Sequence, residues 1–355
     1  MRIRRRNVLV ALVIVVILAG LTVAILLRRR AAPEPARLLP ESDAVVFVNL
    51  NLVRKLTSLG EKPVQPHEPE YERFVRETGF QFERDLDQIA FAVHAGKPGT
   101  PDTRYTEIFT GHFDAQRATA YLRNISTSQE NYRDVQIFNI PVQTRVVRVA
   151  LLGVDVAAIS NTDGPAVIHG IIDRHKQAAL PFGGPPLIRD YYKRVPFASA
   201  VWAIAALPEP PSDPRLSRSL TLPGGFEVYV PPKSVMVASA RTFTGAVNVK
   251  AELFTLGEED ARRFAEQTGA FLSIFRTLEG TLQPSGGDPD VKAVFDSLKV
   301  EQDRDKAIVS ATVPLGFFQK MLEEPPVNVT GPPADETQAP PQEEKKPAVP
   351  RKKKK

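Results

Sequence analysis

Residues 105–120, YTEIFTGHFDAQRATA, combine a strand pattern, a glycine and an aspartate that precedes a helical pattern. Residues 251–266, AELFTLGEEDARRFAE, repeat this order, with Asp260 in the place of Asp114. Aspartate suits the start of a helix, because its carboxylate accepts hydrogen bonds from free backbone amides and meets the positive end of the helix dipole. The two stretches therefore predict two hairpins, each leading into an Asp-capped helix.

The repeat extends to the strands before these helices. Residues 87–120 align with residues 233–266 without a gap, and the strand Ala44–Val48 corresponds to Ala200–Ile204. This recurrence of several elements in the same order predicts a duplication, with a chance match as the alternative. Because the strands follow one another as hairpins with helices between them, we predict an α+β fold with antiparallel sheets rather than a doubly wound fold.

A second decisive stretch lies at the N-terminus. Val8 to Leu27 reads VLVALVIVVILAGLTVAILL, which is long enough to cross the hydrocarbon core of a bilayer as a helix. A cleaved signal peptide is the alternative, but its apolar region is usually shorter and is followed by small residues, whereas Arg28–Arg30 follow here.

The sequence divides into five predicted parts. These are residues 1–30, a basic N-terminus with a transmembrane helix at 8–27; 31–38, a Pro/Ala linker; 39–180, a first α+β unit; 181–324, a second α+β unit; and 325–355, a disordered Pro- and Lys-rich tail.

The net charge of the chain is concentrated at its two ends. The chain has 46 basic and 41 acidic residues, and residues 1–30 and 345–355 together hold fourteen of the basic ones and none of the acidic ones. The body between them is therefore acidic, which does not favour nucleic acid as a partner of the folded surface.

Arginines flank the membrane span on both sides, and the first flank usually sets the orientation. We predict a single-pass protein of the inner (cytoplasmic) membrane with a periplasmic, extracytoplasmic body; a cytoplasmic body is the alternative.

The anchor, the sequence LLPESDAVVFVNL at 38–50 and the repeated strand–strand–Gly-x-x-Asp-Ala–helix unit resemble a poorly characterised group of bacterial membrane-anchored proteins. The resemblance covers residues 38–324. It implies a large extracytoplasmic α+β domain of unknown function. It implies no reaction, cofactor or catalytic residue.

The sequence contains no motif of an established chemistry. It has no cysteine, which excludes thiolate metal sites and thiol catalysis. It has no nucleophile elbow, phosphate-binding loop or dinucleotide-binding fingerprint. Its histidines do not follow the spacing of zinc ligands, so we predict no catalytic, cofactor-binding or metal-binding residue. The histidines are His67, His94, His112, His169 and His175.

The C-terminal tail has the clearest binding pattern. Its basic residues predict electrostatic contact with anionic lipid or an envelope polymer. A solubilising terminus is the alternative, and the lack of interleaved aromatics gives no platform for stacking nucleic-acid bases. The candidate contact residues are Lys345, Lys346, Arg351, Lys352, Lys353, Lys354 and Lys355.

Together these features predict a membrane-anchored, non-enzymatic envelope protein with a binding or scaffolding extracytoplasmic domain. A protein partner is compatible with this function but is not identified by any residue. The alternative is a membrane-anchored, hydrolase-like envelope enzyme whose site is built from scattered acidic and histidine residues. A deep cleft with converging titratable groups would favour the enzyme.

Overall fold

A computed structural model describes residues 31–56, 69–94, 103–177, 183–207, 219–222, 226–243, 245–282 and 289–317. The predicted membrane span at 8–27 and the predicted tail at 325–355 lie outside these residues. Among the described residues, no helix has both the length and the apolar composition needed to cross a bilayer.

Fourteen strands and nine helices occur in the described part of the chain. The helices are α1 Glu34–Leu38, α2 Leu50–Leu56, α3 Pro69–Thr78, α4 Phe82–Asp85, α5 Ala115–Ile125, α6 Ala166–Lys176, α7 Pro186–Tyr191, α8 Glu258–Leu282 and α9 Pro289–Ser297. The strands are β1 Ala44–Asn49, β2 Leu86–His94, β3 Arg104–Gly111, β4 Ser128–Tyr132, β5 Val135–Val142, β6 Arg145–Leu151, β7 Val156–Ser160, β8 Val201–Ala206, β9 Ser219–Leu222, β10 Phe226–Tyr229, β11 Val235–Phe243, β12 Ala246–Phe254, β13 Lys299–Asp303 and β14 Lys306–Pro314.

Twelve of these strands form one continuous sheet in the order β13-β14-β12-β11-β8-β1-β2-β3-β7-β6-β5-β4, and β9 and β10 form a separate hairpin. Every neighbouring pair in the large sheet is antiparallel. The prediction of an α+β fold with antiparallel strands is therefore confirmed.

The sheet has the same strand order on both sides of its centre. From the β1–β8 pair outward, one half runs β1-β2-β3-β7-β6 and the other runs β8-β11-β12-β14-β13. The first half carries the additional hairpin β5-β4 at its outer edge. Because β1 pairs with β8, the two predicted units share one sheet instead of forming separate sheets.

The residue-by-residue match of the two halves is wrong in two places. On the opening strands, buried side chains alternate in step when Ala44 is matched to Val201, one residue later than the sequence match of Ala44 to Ala200. A shift of one residue exchanges the two faces of a strand, so that match had placed core positions opposite partly exposed ones. The alignment of residues 87–120 with 233–266 also needs a gap, because residues 95–103 separate β2 from β3, whereas only residues 244–245 separate β11 from β12.

The predicted pair of aspartate caps is also only half correct. Asp114 caps α5, since its carboxylate accepts from the backbone amides of Gln116 and Arg117 at 2.9 and 3.1 Å. Helix α8 begins at Glu258, so Asp260 lies inside its first turn. The acidic run Glu258–Asp260 does not indicate which residue begins the helix, because an acid at any position of the first turn interacts favourably with the helix dipole.

Residues 31–38 are not a linker. Helix α1 lies in this segment, and Ala36, Leu38 and Leu39 are at most 2% exposed within the main core. The Arg174 side chain on α6 donates a 2.8 Å hydrogen bond to the carbonyl oxygen of Leu38. The Pro/Ala composition suggested a spacer, but a short apolar segment gains more from burial under the sheet than from exposure to water.

The two faces of the sheet carry different cores. We call the side with Val45, Phe47 and Trp202 the first face; α1, α6 and α7 contribute to the core on it. The opposite side, the second face, has a separate apolar cluster that includes Ile89 and Phe109. Helices α3, α4 and α5 contribute to the pocket on the second face of the first half, and α8 contacts β13 and β14 in the second half.

Candidate ligand-binding site

An aromatic pocket lies on the second face, between β3, β6 and β7 and the helices α3, α4 and α5. Its volume is about 120 Å³. Its lining residues are Phe74, Thr78, Phe80, Phe82, Phe109, Phe113, Ala118, Tyr121, Leu122, Val149, Leu151, Ala157 and Ile159.

The helical wall of this pocket is held in place by a turn and one arginine. Helix α3 ends at Thr78, whose hydroxyl donates to the carbonyl oxygen of Phe74 at 2.7 Å. Gly79 then adopts a φ of 75°, which turns the chain toward α4. Arg117 on α5 donates to the carbonyl oxygens of Arg76 and Glu77 at 2.6 and 3.0 Å, so it fixes the last turn of α3 against α5.

The aromatic rings that line the pocket also pack against one another. Phe74 and Phe82 stack with ring centroids 5.4 Å apart, and Phe80 and Phe109 stack at 6.0 Å. Tyr121 meets Phe74 edge to face at 5.3 Å. Offset and edge-to-face pairs each add a small stabilisation beyond area burial, so the walls keep a defined shape.

The lining of the pocket has almost no polar group that could contact a bound molecule. Thr78 and Tyr121 are the only lining side chains with a polar atom, and the Thr78 hydroxyl is engaged within α3. Burial raises the pKa of Tyr121, so its phenol stays neutral near neutral pH. An apolar cavity of about 150 Å³ binds benzene, so this pocket suits an apolar group the size of a single ring.

A carboxyl group stands beside this pocket on the same face of the sheet. Glu107 on β3 pairs with Ile159, which lines the pocket, and with Phe91 on β2. Burial raises the pKa of Glu107 to about 7. Among the described residues Glu107 has neither a hydrogen bond nor an ion pair, so its charge is uncompensated when it ionises.

The described histidines are dispersed over the fold. His169 on α6 contacts Glu130 at 2.7 Å and stacks on Tyr132, while His175 lies 3.8 Å from Glu34. His112 lies 3.3 Å from Asp87. Burial lowers the pKa of His94, and His67 lies outside the described residues.

The expected lack of a metal site and the expected contacts of the C-terminal tail both stay predictions. Within the described ranges, no group of three or more His, Asp or Glu side chains is placed to hold a metal ion. The tail candidates, Lys345 to Lys355, lie outside those ranges. Glu107 and the pocket beside it were not predicted from the sequence, although the alternation of Tyr105, Glu107 and Phe109 along one strand places all three on one face.

Comparisons with known proteins add little to this geometry. No family model matches the chain, and no curated protein matches it. Among solved structures, crystal form IV of TP0453 is similar over 83% of this chain and 99% of that chain, with 9% identity and a TM-score of 0.42. Crystal form III of TP0453 covers 82% and 97%, with 9% identity and a TM-score of 0.40. The resemblance to bacterial membrane-anchored proteins stays a prediction.

Proposed function

We propose that this protein is a membrane-anchored, extracytoplasmic binding protein whose body takes up an apolar group in the aromatic pocket. The observation that carries the proposal is the composition of the pocket, in which aromatic and aliphatic side chains provide nearly every contact. Binding sites for small molecules are typically concave and mostly apolar, with few polar groups. A binding role fits these walls better than a hydrolytic one, because the lining brings no nucleophile together with an acid or base.

The proposed architecture combines the anchor, a duplicated body and the basic tail. The anchor at Val8–Leu27 and its orientation rest on the sequence alone. The duplication is supported by the equal strand order in the two halves of the sheet. Since only the first half carries the aromatic pocket in the described part of the chain, we infer that the two halves diverged in role.

A larger side chain in the pocket tests whether the pocket binds the ligand. Ala118 lines the pocket from α5, and Ala120 on the same helix is exposed. We expect Ala118→Leu to weaken the binding of 2-(4-fluorophenyl)ethanol to the full chain in zwitterionic lipid nanodiscs by about tenfold or more, because the added carbons occupy the ring position. Ala120→Leu is the matched control and should leave binding unchanged. Fluorine NMR relaxation of the probe measures both, with empty nanodiscs subtracted.

The result decides the proposal directly. Loss of binding in Ala118→Leu alone supports the pocket as the site. Absence of binding to the unmodified chain, or equal binding by both variants, rejects it.

The membrane orientation is tested separately with reporters fused after Leu322. A reporter that is active only in the periplasm should be active. Activity of a cytoplasmic reporter alone would place the body on the cytoplasmic side.

A further inference from the structure

We propose that the ligand of the aromatic pocket is an apolar amine, whose ring lies among the aromatic side chains while its ammonium group pairs with Glu107. This inference rests on the proposed function and names its ligand class.

The carboxyl group is close enough to the pocket to share one small ligand. Glu107 lies directly opposite Ile159, and opposite residues of an antiparallel pair point to the same face with Cβ atoms about 4.5–5.5 Å apart. Phe109, two residues further along β3, also lines the pocket and lies about 7 Å from Glu107 along the strand. A short aliphatic linker between ring and ammonium spans this separation.

The surroundings of Glu107 favour a cation over other head groups. Its opposite and adjacent neighbours on the same face are Phe91, Tyr105, Phe109 and Ile159, of which only the Tyr105 phenol can titrate. Arg145 on β6 also reaches the start of β3, where its guanidinium donates to the carbonyl oxygen of Thr103, four residues before Glu107. None of the four neighbouring side chains can neutralise a carboxylate, and an ion without a partner in apolar surroundings is costly. A ligand ammonium supplies the missing counter-charge and is also attracted by nearby ring faces. An anionic head group would be repelled, and a neutral one would leave the carboxylate unpaired.

The same geometry links binding to proton release. Burial raises the pKa of Glu107 to about 7, so a large fraction of the free protein carries a proton there near neutral pH. An ammonium beside the carboxyl favours its ionised form. Uptake of an amine near pH 7 should therefore expel part of one proton, whereas uptake of the matching alcohol should expel none.

Three probes with one ring and different head groups test this inference. These are 2-(4-fluorophenyl)ethylammonium, 2-(4-fluorophenyl)ethanol and 3-(4-fluorophenyl)propionate, bound to the full chain in zwitterionic nanodiscs at pH 7.5. We expect the amine to bind about tenfold tighter than the alcohol, because hydrogen bonds to charged groups are the stronger ones. We expect the carboxylate to bind most weakly.

Variants then assign the preference to one side chain. Glu107→Gln should bind amine and alcohol equally and lose the proton release measured by calorimetry in two buffers of different ionisation enthalpy. Unchanged alcohol binding shows that this variant still folds. Glu301→Gln, at an exposed strand position, is the matched control and should keep the preference for the amine.

The outcomes separate this inference from the proposed function. Alcohol binding that depends on Ala118, without any preference for the amine, overturns the amine inference and leaves the pocket standing. A preference that persists in Glu107→Gln also overturns it. Absence of binding by every probe overturns both proposals.

Discussion

Phe47 and Trp202 are cross-strand partners whose rings stack with centroids 5.3 Å apart, at the junction of the two halves of the sheet. Each is only 2% exposed. One ring comes from the first half and the other from the second, so the main core continues across the junction. The two halves therefore depend on each other for burial.

We expect this contact to make the body unfold as one unit. Phe47→Ala should lower the free energy of unfolding by about 3–5 kcal/mol, the usual cost of removing a buried aromatic ring. Trp202 is the only tryptophan of the chain, so its fluorescence reports on the junction. The fluorescence and far-ultraviolet circular dichroism transitions in urea should coincide.

Phe197→Ala is the matched control, because Phe197 is 69% exposed. It should change the free energy of unfolding by no more than about 0.5 kcal/mol. Two separate transitions in the unmodified protein would contradict a shared core and favour independent units.

The two aspartates that the sequence treats as equivalent should differ in their effect on stability. Asp114→Ala removes the acceptor for two backbone amides at the start of α5 and should cost about 1 kcal/mol. Asp260 lies inside the first turn of α8, so Asp260→Ala should cost a few tenths of a kcal/mol, as expected from its interaction with the helix dipole. Urea denaturation measures both, and equal costs would contradict the helix boundary at Glu258.

Glu107 should make the protein less stable as the pH rises. The pKa of Glu107 is raised from its ordinary value of 4.5 to about 7, so the folded state holds a proton that the unfolded state has released. Stability should therefore fall between about pH 4.5 and pH 7 and stay lower above that range. The loss from this residue is on the order of 3 kcal/mol, at about 1.4 kcal/mol per pKa unit.

Glu107→Gln should remove this contribution, so its stability should exceed that of the unmodified protein above pH 7. Denaturation curves at several pH values measure the difference between the two proteins, which cancels the titration of the other groups. The exposed Glu301→Gln serves as control. A difference that does not change with pH would show that Glu107 titrates normally in the folded state.

The predicted tail should act through charge alone. Residues 31–355 should bind anionic vesicles more strongly than the same protein lacking residues 345–355, and binding should fall steeply with salt. Each basic residue near an anionic surface contributes about 1 kcal/mol at most. A variant with the tail residues in scrambled order should bind like the original. Binding that survives high salt, or that does not require residues 345–355, would reject an electrostatic tether.

Local patterns in the sequence were enough to predict several features. The hairpin order predicted antiparallel strands, and the Gly111 and Asp114 spacing placed the start of α5 correctly. Both depend on residues close together in the chain. A capping carboxylate finds its amide donors within the next three residues, so no tertiary information is needed to predict it.

Tertiary structure alone decided how the halves meet and where the candidate site lies. Nothing in residues 31–38 indicates that they pack under the sheet, and nothing in the local sequence pairs Phe47 with Trp202. The environment of Glu107 is set by Phe91 on one neighbouring strand and Ile159 on the other. Strand pairing between distant segments determines which side chains share a face and how far each is removed from water, and this burial is what alters the chemistry of a carboxyl group.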